Sequence, residues 1–216
     1  MILRSSALAL LLVAASGCAR LPDYALPQVE IVDAKELAKA DGVPYHKLTR
    51  ADFRGAKSPL PDARDEAHMS AFTCANVVPQ QRQIEMDLRQ EGPGEPFVAR
   101  ARKVAFVARM DRNCSWWSPQ QPREHQAYVL QHEQIHFAIA EAAARDLTRR
   151  ARRLDAAGDS PQAAVAALQR ELEALFRKSI DAMRERNTRF DLDTSGRYDA
   201  QAQQRWFDEV SAELAR

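Results

Sequence analysis

The stretch QHEQIHFAIAEAAARDL, from Gln131 to Leu147, carries the clearest structural signal in this chain. It is rich in alanine, which favours helix, and the apolar side chains Ile135 and Ile139 lie on one face of such a helix. His132 and His136 are four residues apart, about one helical turn, so their imidazoles point to the same side. The stretch therefore predicts a buried helix with two imidazoles side by side.

The residues from His132 to His136 form the pattern H-E-x-x-H. Its spacing lets one nitrogen of each His reach a single Zn²⁺ ion at about 2.0–2.1 Å. Glu133 lies beside the pair, where it can take a proton from a water on the ion and pass it to a leaving group. The pattern predicts a zinc-dependent hydrolase with Glu133 as the catalytic carboxylate. The alternative is that both histidines only pack in the helix or lie on its surface.

Zinc needs a third protein ligand, which the helix itself does not supply. One class of zinc proteases places a His six residues after the second His, but this chain has Ala142 there. His125 lies about 10 Å along the helix from His132, too far to share an ion. Glu141 is rotated away from the two imidazoles and displaced by about 7.5 Å. The third ligand is therefore expected from a later element.

The later candidates are carboxylates, and the sequence leaves the choice among them open. They are Glu171, Glu173, Asp181, Asp191 and Asp193. We favour Asp191, and Asp193 after it, because both lie where the second long helix is expected to end and the chain must turn.

The first residues have the pattern of an export signal. Arg4 precedes an apolar stretch from Ser5 to Ala15, which is too short to span a bilayer, and small residues then lead to Cys18. We predict a signal peptide over residues 1–17, a lipid on Cys18 and a linker over 18–28. The alternative is cleavage without lipidation, which gives a soluble secreted protein. The Ala19 that follows favours anchoring in the outer membrane, facing the periplasm.

Export leaves two further cysteines in an oxidising compartment, where thiols usually pair. We predict a disulfide between Cys74 and Cys114. Two free buried thiols are the alternative.

Composition indicates one globular domain of ordinary charge, over residues 29–216. The 216 residues are 45% hydrophobic and carry a net charge of +1, so no basic surface for nucleic acid is expected.

Strand patterns fill the first half and helix patterns the second, which predicts an α+β fold with an antiparallel sheet packed on long C-terminal helices. The expected strands are Gln28–Val32, part of Pro44–Phe53, Met69–Val78, Gln83–Leu88 and one long strand Phe97–Met110. The expected helices run from Ser118-Pro119 to about Ala156, from Ser160-Pro161 to about Thr188, and from Gln201 to Leu214.

Four segments together resemble a family of bacterial predicted secreted zinc-dependent proteases, the domain-of-unknown-function 922 family. They are HEQIHFAIAEAAAR (132–145), LTRADFRG (48–55), RNCSWW (112–117) and RFDLDTSGRYDAQAQQRW (189–206). The resemblance implies a zincin-like domain with the H-E-x-x-H helix in its core, His132 and His136 as zinc ligands and Glu133 as catalytic carboxylate. The chain departs from the family at Ser195, where a His often follows the late threonine.

Two functions follow from these patterns. The first is an envelope peptidase that binds one Zn²⁺ and cleaves peptide or protein substrates, with Arg197 and Tyr198 as candidates to stabilise the oxyanion. The second is a non-catalytic envelope lipoprotein that keeps the fold as a binding or assembly module. The missing late His favours the second, whereas the presence of Glu133 favours the first.

Overall fold

The computed structural model of the protein describes residues 42–58, 69–80, 85–195 and 198–216. The expected signal peptide, Cys18, the linker and the strand Gln28–Val32 lie outside the described residues. In the described ranges the chain is α+β, with most strands before the long helices, as the sequence predicts. None of the helices in these ranges is long and apolar enough to cross a membrane.

The strands of the described ranges form three small antiparallel sheets instead of one. The strands are β1 (Gly42–Pro44), β2 (Ala71–Phe72), β3 (Ala75–Pro79), β4 (Glu85–Gln90), β5 (Phe97–Lys103), β6 (Phe106–Asp111), β7 (Trp116–Trp117) and β8 (Asp155–Gly158). They pair in the orders β1-β6-β3, β2-β7 and β4-β5-β8. Of the strands in the described residues, all except β8 therefore precede the first long helix.

The long strand expected over Phe97–Met110 is two strands that belong to different sheets. β5 pairs with β4 and β8, whereas β6 pairs with β1 and β3. The chain passes between the sheets at Val104 and Ala105, which are both buried. Because apolar residues continue through this crossing, the alternation of side chains gave no sign of it. In the Pro44–Phe53 segment, β1 ends at Pro44 and a short 3-10 helix, Arg50–Asp52, follows.

Three α-helices make up most of the second half. They are α1 (Gln126–Ala151), α2 (Pro161–Thr194) and α3 (Ala200–Leu214). The start of α2 is as predicted, because the Ser160 side chain accepts a hydrogen bond from the Ala163 amide and caps the helix. Just before it, Gly158 packs so closely that a Cβ would lie 2.4 Å from the Ala164 nitrogen. The absence of a side chain there lets β8 lie against the first turn of α2.

Both ends of α1 differ from the prediction. The helix starts at Gln126 and not at Ser118, whose amide instead bonds to the Ser70 carbonyl at 2.9 Å. Pro122 explains the later start, since proline disfavours helical geometry in the residue before it. At the other end α1 stops at Ala151, and the alanines expected to extend it lie in β8. Pairing with β5 outweighs their helix propensity there.

Helix α1 is the central element of the core. Its residues Phe137, Ile139 and Leu147 are fully or almost fully buried, and the Tyr45 ring meets Phe137 edge to face at 5.0 Å. Polar side chains also tie α1 to its surroundings: Thr148 accepts a hydrogen bond from the Phe106 amide at 2.8 Å. These contacts fix both the position and the rotation of the helix that bears the H-E-x-x-H pattern.

The disulfide predicted between Cys74 and Cys114 is confirmed. Their Cα atoms are 5.7 Å apart, within the range that the bond requires. The bridge joins the segment just before β3 to the turn between β6 and β7. Next to it, the Ser115 hydroxyl accepts a hydrogen bond from the Cys74 amide at 3.0 Å. The bridge therefore ties together the loops that precede α1.

Candidate metal centre

Two histidines of α1 and one aspartate of α2 meet where these helices pack. The Nε2 atoms of His132 and His136 are 3.1 Å apart. The Oδ1 atom of Asp191 lies 3.3 Å from the first and 3.0 Å from the second. The three atoms form a nearly equilateral triangle, and these residues are the group within the described ranges whose arrangement suits a metal ion. The favoured third residue of the sequence analysis is therefore brought to the H-E-x-x-H pair.

The triangle fits a zinc ion. With bonds of about 2.0–2.1 Å in a tetrahedral site, neighbouring ligand atoms lie about 3.3–3.4 Å apart. The observed separations are 3.0–3.3 Å. Two neutral imidazoles and one carboxylate are also the donor types that zinc accepts in catalytic sites, where a fourth position stays open. Because the side chain of Asp191 is 49% exposed, the site is reached from solvent on the α2 side.

Glu133 is buried beside the triangle. The residue is only 3% exposed, and its Oε2 atom has no hydrogen-bond partner within the described residues. A buried carboxylate oxygen without a protein partner is costly unless a water, an ion or the chemistry of a site engages it. The neighbouring Gln134 is fully bonded, since its amide accepts from the Leu48 N–H at 2.7 Å and donates to the His46 carbonyl at 3.2 Å. The contrast marks Glu133 as the carboxylate with unused bonding capacity.

Asp191 and His136 strongly shift each other's pKa. Burial acts to raise the pKa of Asp191, but hydrogen bonds from His132 and His136 outweigh burial and hold that pKa well below its usual value. Burial likewise disfavours a charged His136, yet Asp191 raises the pKa of this ring to about 9, with smaller contributions from Glu133 and Asn187. Such strongly coupled groups at an accessible position are typical of functional sites.

The position of Asp191 in its helix is electrostatically unfavourable. It lies in the last turn of α2, where the helix dipole is negative and no basic residue is present. An acidic residue at that end costs about 0.3–1 kcal/mol, and a cation relieves the cost. The location therefore favours a positive partner for Asp191, which the two imidazoles or a metal ion supply.

Three residues of α2 around this site were not anticipated from the sequence. Asn187 contacts the Nδ1 atom of His136 at 2.8 Å, and the Thr194 hydroxyl lies 3.4 Å from Nδ1 of His132. The fully buried Phe190 ring stacks on His132 with centroids 4.4 Å apart. Their helical spacing from Asp191 could have identified them. Asn187 lies four residues before Asp191, Phe190 one residue before it and Thr194 three residues after it. This signal is visible only once α2 is known to continue past Thr188.

The other candidate ligands lie away from the triangle. Glu171, Glu173 and Asp181 are exposed on earlier turns of α2, and Glu171 precedes Asp191 by 20 residues, about 30 Å of helix. Asp193 accepts a hydrogen bond from the Trp206 indole at 2.9 Å instead. Glu141 is buried and paired with Arg145 at 2.8 Å, so it is neither a ligand nor a surface residue.

Aromatic residues border the site along α1. His125 is not near the triangle; its ring stacks on Tyr198 with centroids 4.1 Å apart. Tyr128, one turn before His132, donates a hydrogen bond to the Thr194 carbonyl at 3.0 Å. Tyr198 has a φ of +47° and is 42% exposed, whereas its neighbour Arg197 lies outside the described residues. Of the two candidates for oxyanion stabilisation, only Tyr198 lies in the described residues, where its ring contacts the rings of His125 and Tyr128.

Comparison with known proteins supports the resemblance noted in the sequence. Residues 115–199 match the family described as bacterial protein of unknown function (DUF922). The matched range contains α1, α2 and every residue of the triangle. It begins after the Leu48–Gly55 segment and does not include it. No curated protein and no solved structure matches the chain. Over residues 115–199 the chain is therefore similar to the DUF922 family, whose description assigns no function.

Proposed function

We propose that this protein is a zinc-dependent hydrolase that cleaves peptide bonds. One observation carries the proposal: His132, His136 and Asp191 converge within 3.3 Å, beside a buried Glu133 whose Oε2 has no partner in the described residues. A purely structural zinc site uses four protein ligands and has no role for such a carboxylate. Three ligands with an adjacent carboxylate are the arrangement that hydrolysis requires.

Each residue has a separate task in the proposed reaction. His132, His136 and Asp191 would hold the ion, which when bound supplies Lewis-acid chemistry by making a water more acidic and polarising the substrate carbonyl. Glu133 accepts a proton from the attacking water as the water oxygen bonds to the carbonyl carbon. As the C–N bond breaks, Glu133 delivers that proton to the departing nitrogen. Phe190, packed on both imidazoles, keeps water away from their buried side.

We further propose that the protein works in the cell envelope, anchored by a lipid on Cys18, with its domain facing the periplasm. The disulfide between Cys74 and Cys114 supports an oxidising compartment. Envelope peptides or proteins would then be the substrates. Mass spectrometry of the N-terminal peptide from membrane fractions tests the anchor, because a lipidated Cys18 has a higher mass than an unmodified one.

The hydrolase proposal is tested by metal content and peptide hydrolysis of the purified domain, beside a Glu133→Gln variant. We expect about one equivalent of zinc in both proteins. Turnover of a broad peptide mixture should fall about 10²- to 10⁴-fold in the variant. Glu171→Gln, an exposed position on the same α2 helix as Asp191, is the matched control and should behave as the parent.

Two other results would contradict the proposal in different ways. Absence of zinc from the parent after incubation and dialysis would remove the metal centre. Zinc without turnover in either protein, over broad peptide mixtures, would favour the non-catalytic binding or assembly module.

A further inference from the structure

One stripe of α2 covers the metal centre. Asn187, Phe190, Asp191 and Thr194 have the spacing i, i+3, i+4 and i+7, so they share one face of the helix. Each of them contacts an imidazole of α1. The second helix therefore contributes more than the third candidate ligand: it surrounds both histidines.

Hydrogen bonding fixes which nitrogen of His136 carries a proton. The Asn187 Nδ2 group donates to the Met183 carbonyl at 3.1 Å, so its Oδ1 atom is the one that faces the ring. That oxygen lies 2.8 Å from Nδ1 of His136 and can only accept a hydrogen bond. Nδ1 of His136 must therefore bear the hydrogen. The Nε2 atom, which points at Asp191 and His132, is then the ring nitrogen that would bind the ion.

A hydrogen-bond acceptor also faces Nδ1 of His132. The Thr194 hydroxyl has one hydrogen and donates it to the Phe190 carbonyl at 2.6 Å. Its oxygen, 3.4 Å from Nδ1 of His132, is therefore an acceptor for that ring. This contact is longer than the one from Asn187, so its effect should be smaller. Stacking on Phe190 holds the plane of the His132 ring.

We infer that Asn187 and Thr194 are positioning residues that hold His136 and His132 as Nδ1–H tautomers and so direct both Nε2 atoms to one ion. The inference rests on the proposed metal centre and adds the groups that orient it. Partners of this kind fix ring orientation and make the ligand nitrogen more basic. Neither residue touches the ion or the substrate in this scheme.

Zinc affinity, measured by competition with a chromophoric chelator, is the first test. Asn187→Leu removes the acceptor and should weaken zinc binding about 10- to 100-fold. Asn187→Asp keeps an acceptor oxygen and should restore affinity to near that of the parent. Thr194→Val should weaken binding less than Asn187→Leu does. Thr188→Val is its control, because Thr188 is exposed on the same helix and bonds back to the Arg184 carbonyl in the same way.

Nuclear magnetic resonance of ¹⁵N-histidine-labelled protein tests the tautomers directly. We expect a protected Nδ1–H proton for His136 in the parent and in Asn187→Asp, and its loss in Asn187→Leu. This readout works with or without metal, so it separates the two ideas. A parent that shows the Nδ1–H signal but binds no zinc would refute the hydrolase proposal and leave the tautomer assignment standing. Unchanged zinc affinity and an unchanged Nδ1–H signal in Asn187→Leu would overturn the inference.

Discussion

Glu133 and Gln134 provide a pair of neighbouring residues whose substitutions should change stability in opposite directions. Both are buried in α1, at 3% and 1% exposure, and both have side chains of similar length. Methionine matches that length, is a good helix former and carries no strong polar group. Replacing each in turn by methionine therefore compares the bonding of the two side chains at nearly constant volume.

The expected magnitudes follow from the hydrogen bonds. Gln134→Met leaves the buried Leu48 N–H and the half-buried His46 carbonyl without their hydrogen-bond partner, which should lower the unfolding free energy by about 2–4 kcal/mol. Glu133→Met removes a carboxylate oxygen that has no partner in the described ranges. Its loss should stabilise the fold by about 1 kcal/mol, because relief of the burial cost exceeds the lost attraction to His136. The same variant should lose hydrolytic activity.

Urea unfolding at neutral pH with a metal chelator present measures both variants. An unchanged slope of free energy against urea would show that the compared states are equivalent. If Glu133→Met instead loses as much stability as Gln134→Met, then Glu133 is a bonded structural residue. Its Oε2 atom would then not be a group that the fold keeps for catalysis.

Three further results are expected. Loss of a residue that only orients a ligand weakens metal binding about 10- to 100-fold, and Asp191→Asn should weaken zinc binding more than that. Asp193→Asn should change zinc binding little. Equal effects of the two substitutions in a chelator competition would contradict Asp191 as the ligand. Reducing the Cys74–Cys114 bridge, which closes a 40-residue separation, should lower the unfolding free energy by about 4 kcal/mol, and an unchanged urea midpoint under reducing conditions would refute this. Burial, with the charge of Asp199 adding to it, raises the pKa of Tyr128 to about 12. The stabilising contribution of the protonated Tyr128 hydroxyl is therefore complete below pH 10 and is lost as the pH rises through 12. Between pH 10 and 12, the unfolding free energy of the parent should fall more steeply than that of Tyr128→Phe. Parallel pH profiles of the two proteins in denaturant unfolding would show that the shift is absent.

Local signals in the sequence were sufficient for the parts of the site that lie on one helix. The spacing of His132 and His136 alone predicts that they face the same way, because it depends only on helical geometry. The cap at Ser160 was equally readable, since it depends on residues within one turn. The cysteine count and the predicted export signal together predict the bridge of Cys74 and Cys114 without knowledge of the fold.

Features that depend on packing between distant segments could not be read in this way. The alanines from Ala156 favour helix by propensity but lie in β8, because β5 offers an edge to pair with. The extent of α2 was underestimated by one to two turns, which concealed the common face of Asn187 and Asp191. The preference for Asp191 among five carboxylates depends on its place near a chain turn and partly on the family segment that contains it. The packing of α2 on α1 is what brings Asp191 to the imidazoles.

The third candidate ligand lies in the last turn of α2, only three residues before the helix ends at Thr194. Helix ends open far more readily than helix interiors, and both histidines lie inside α1, where His132 is six residues after the first residue. Brief opening of the last turn of α2 would therefore move Asp191 away from the two imidazoles while α1 stays intact. The Tyr128 hydroxyl donates a hydrogen bond to the Thr194 carbonyl in that turn and so opposes its opening. In the proposed metal centre, the rate of ion exchange would then depend on a phenol that is not one of the ligands.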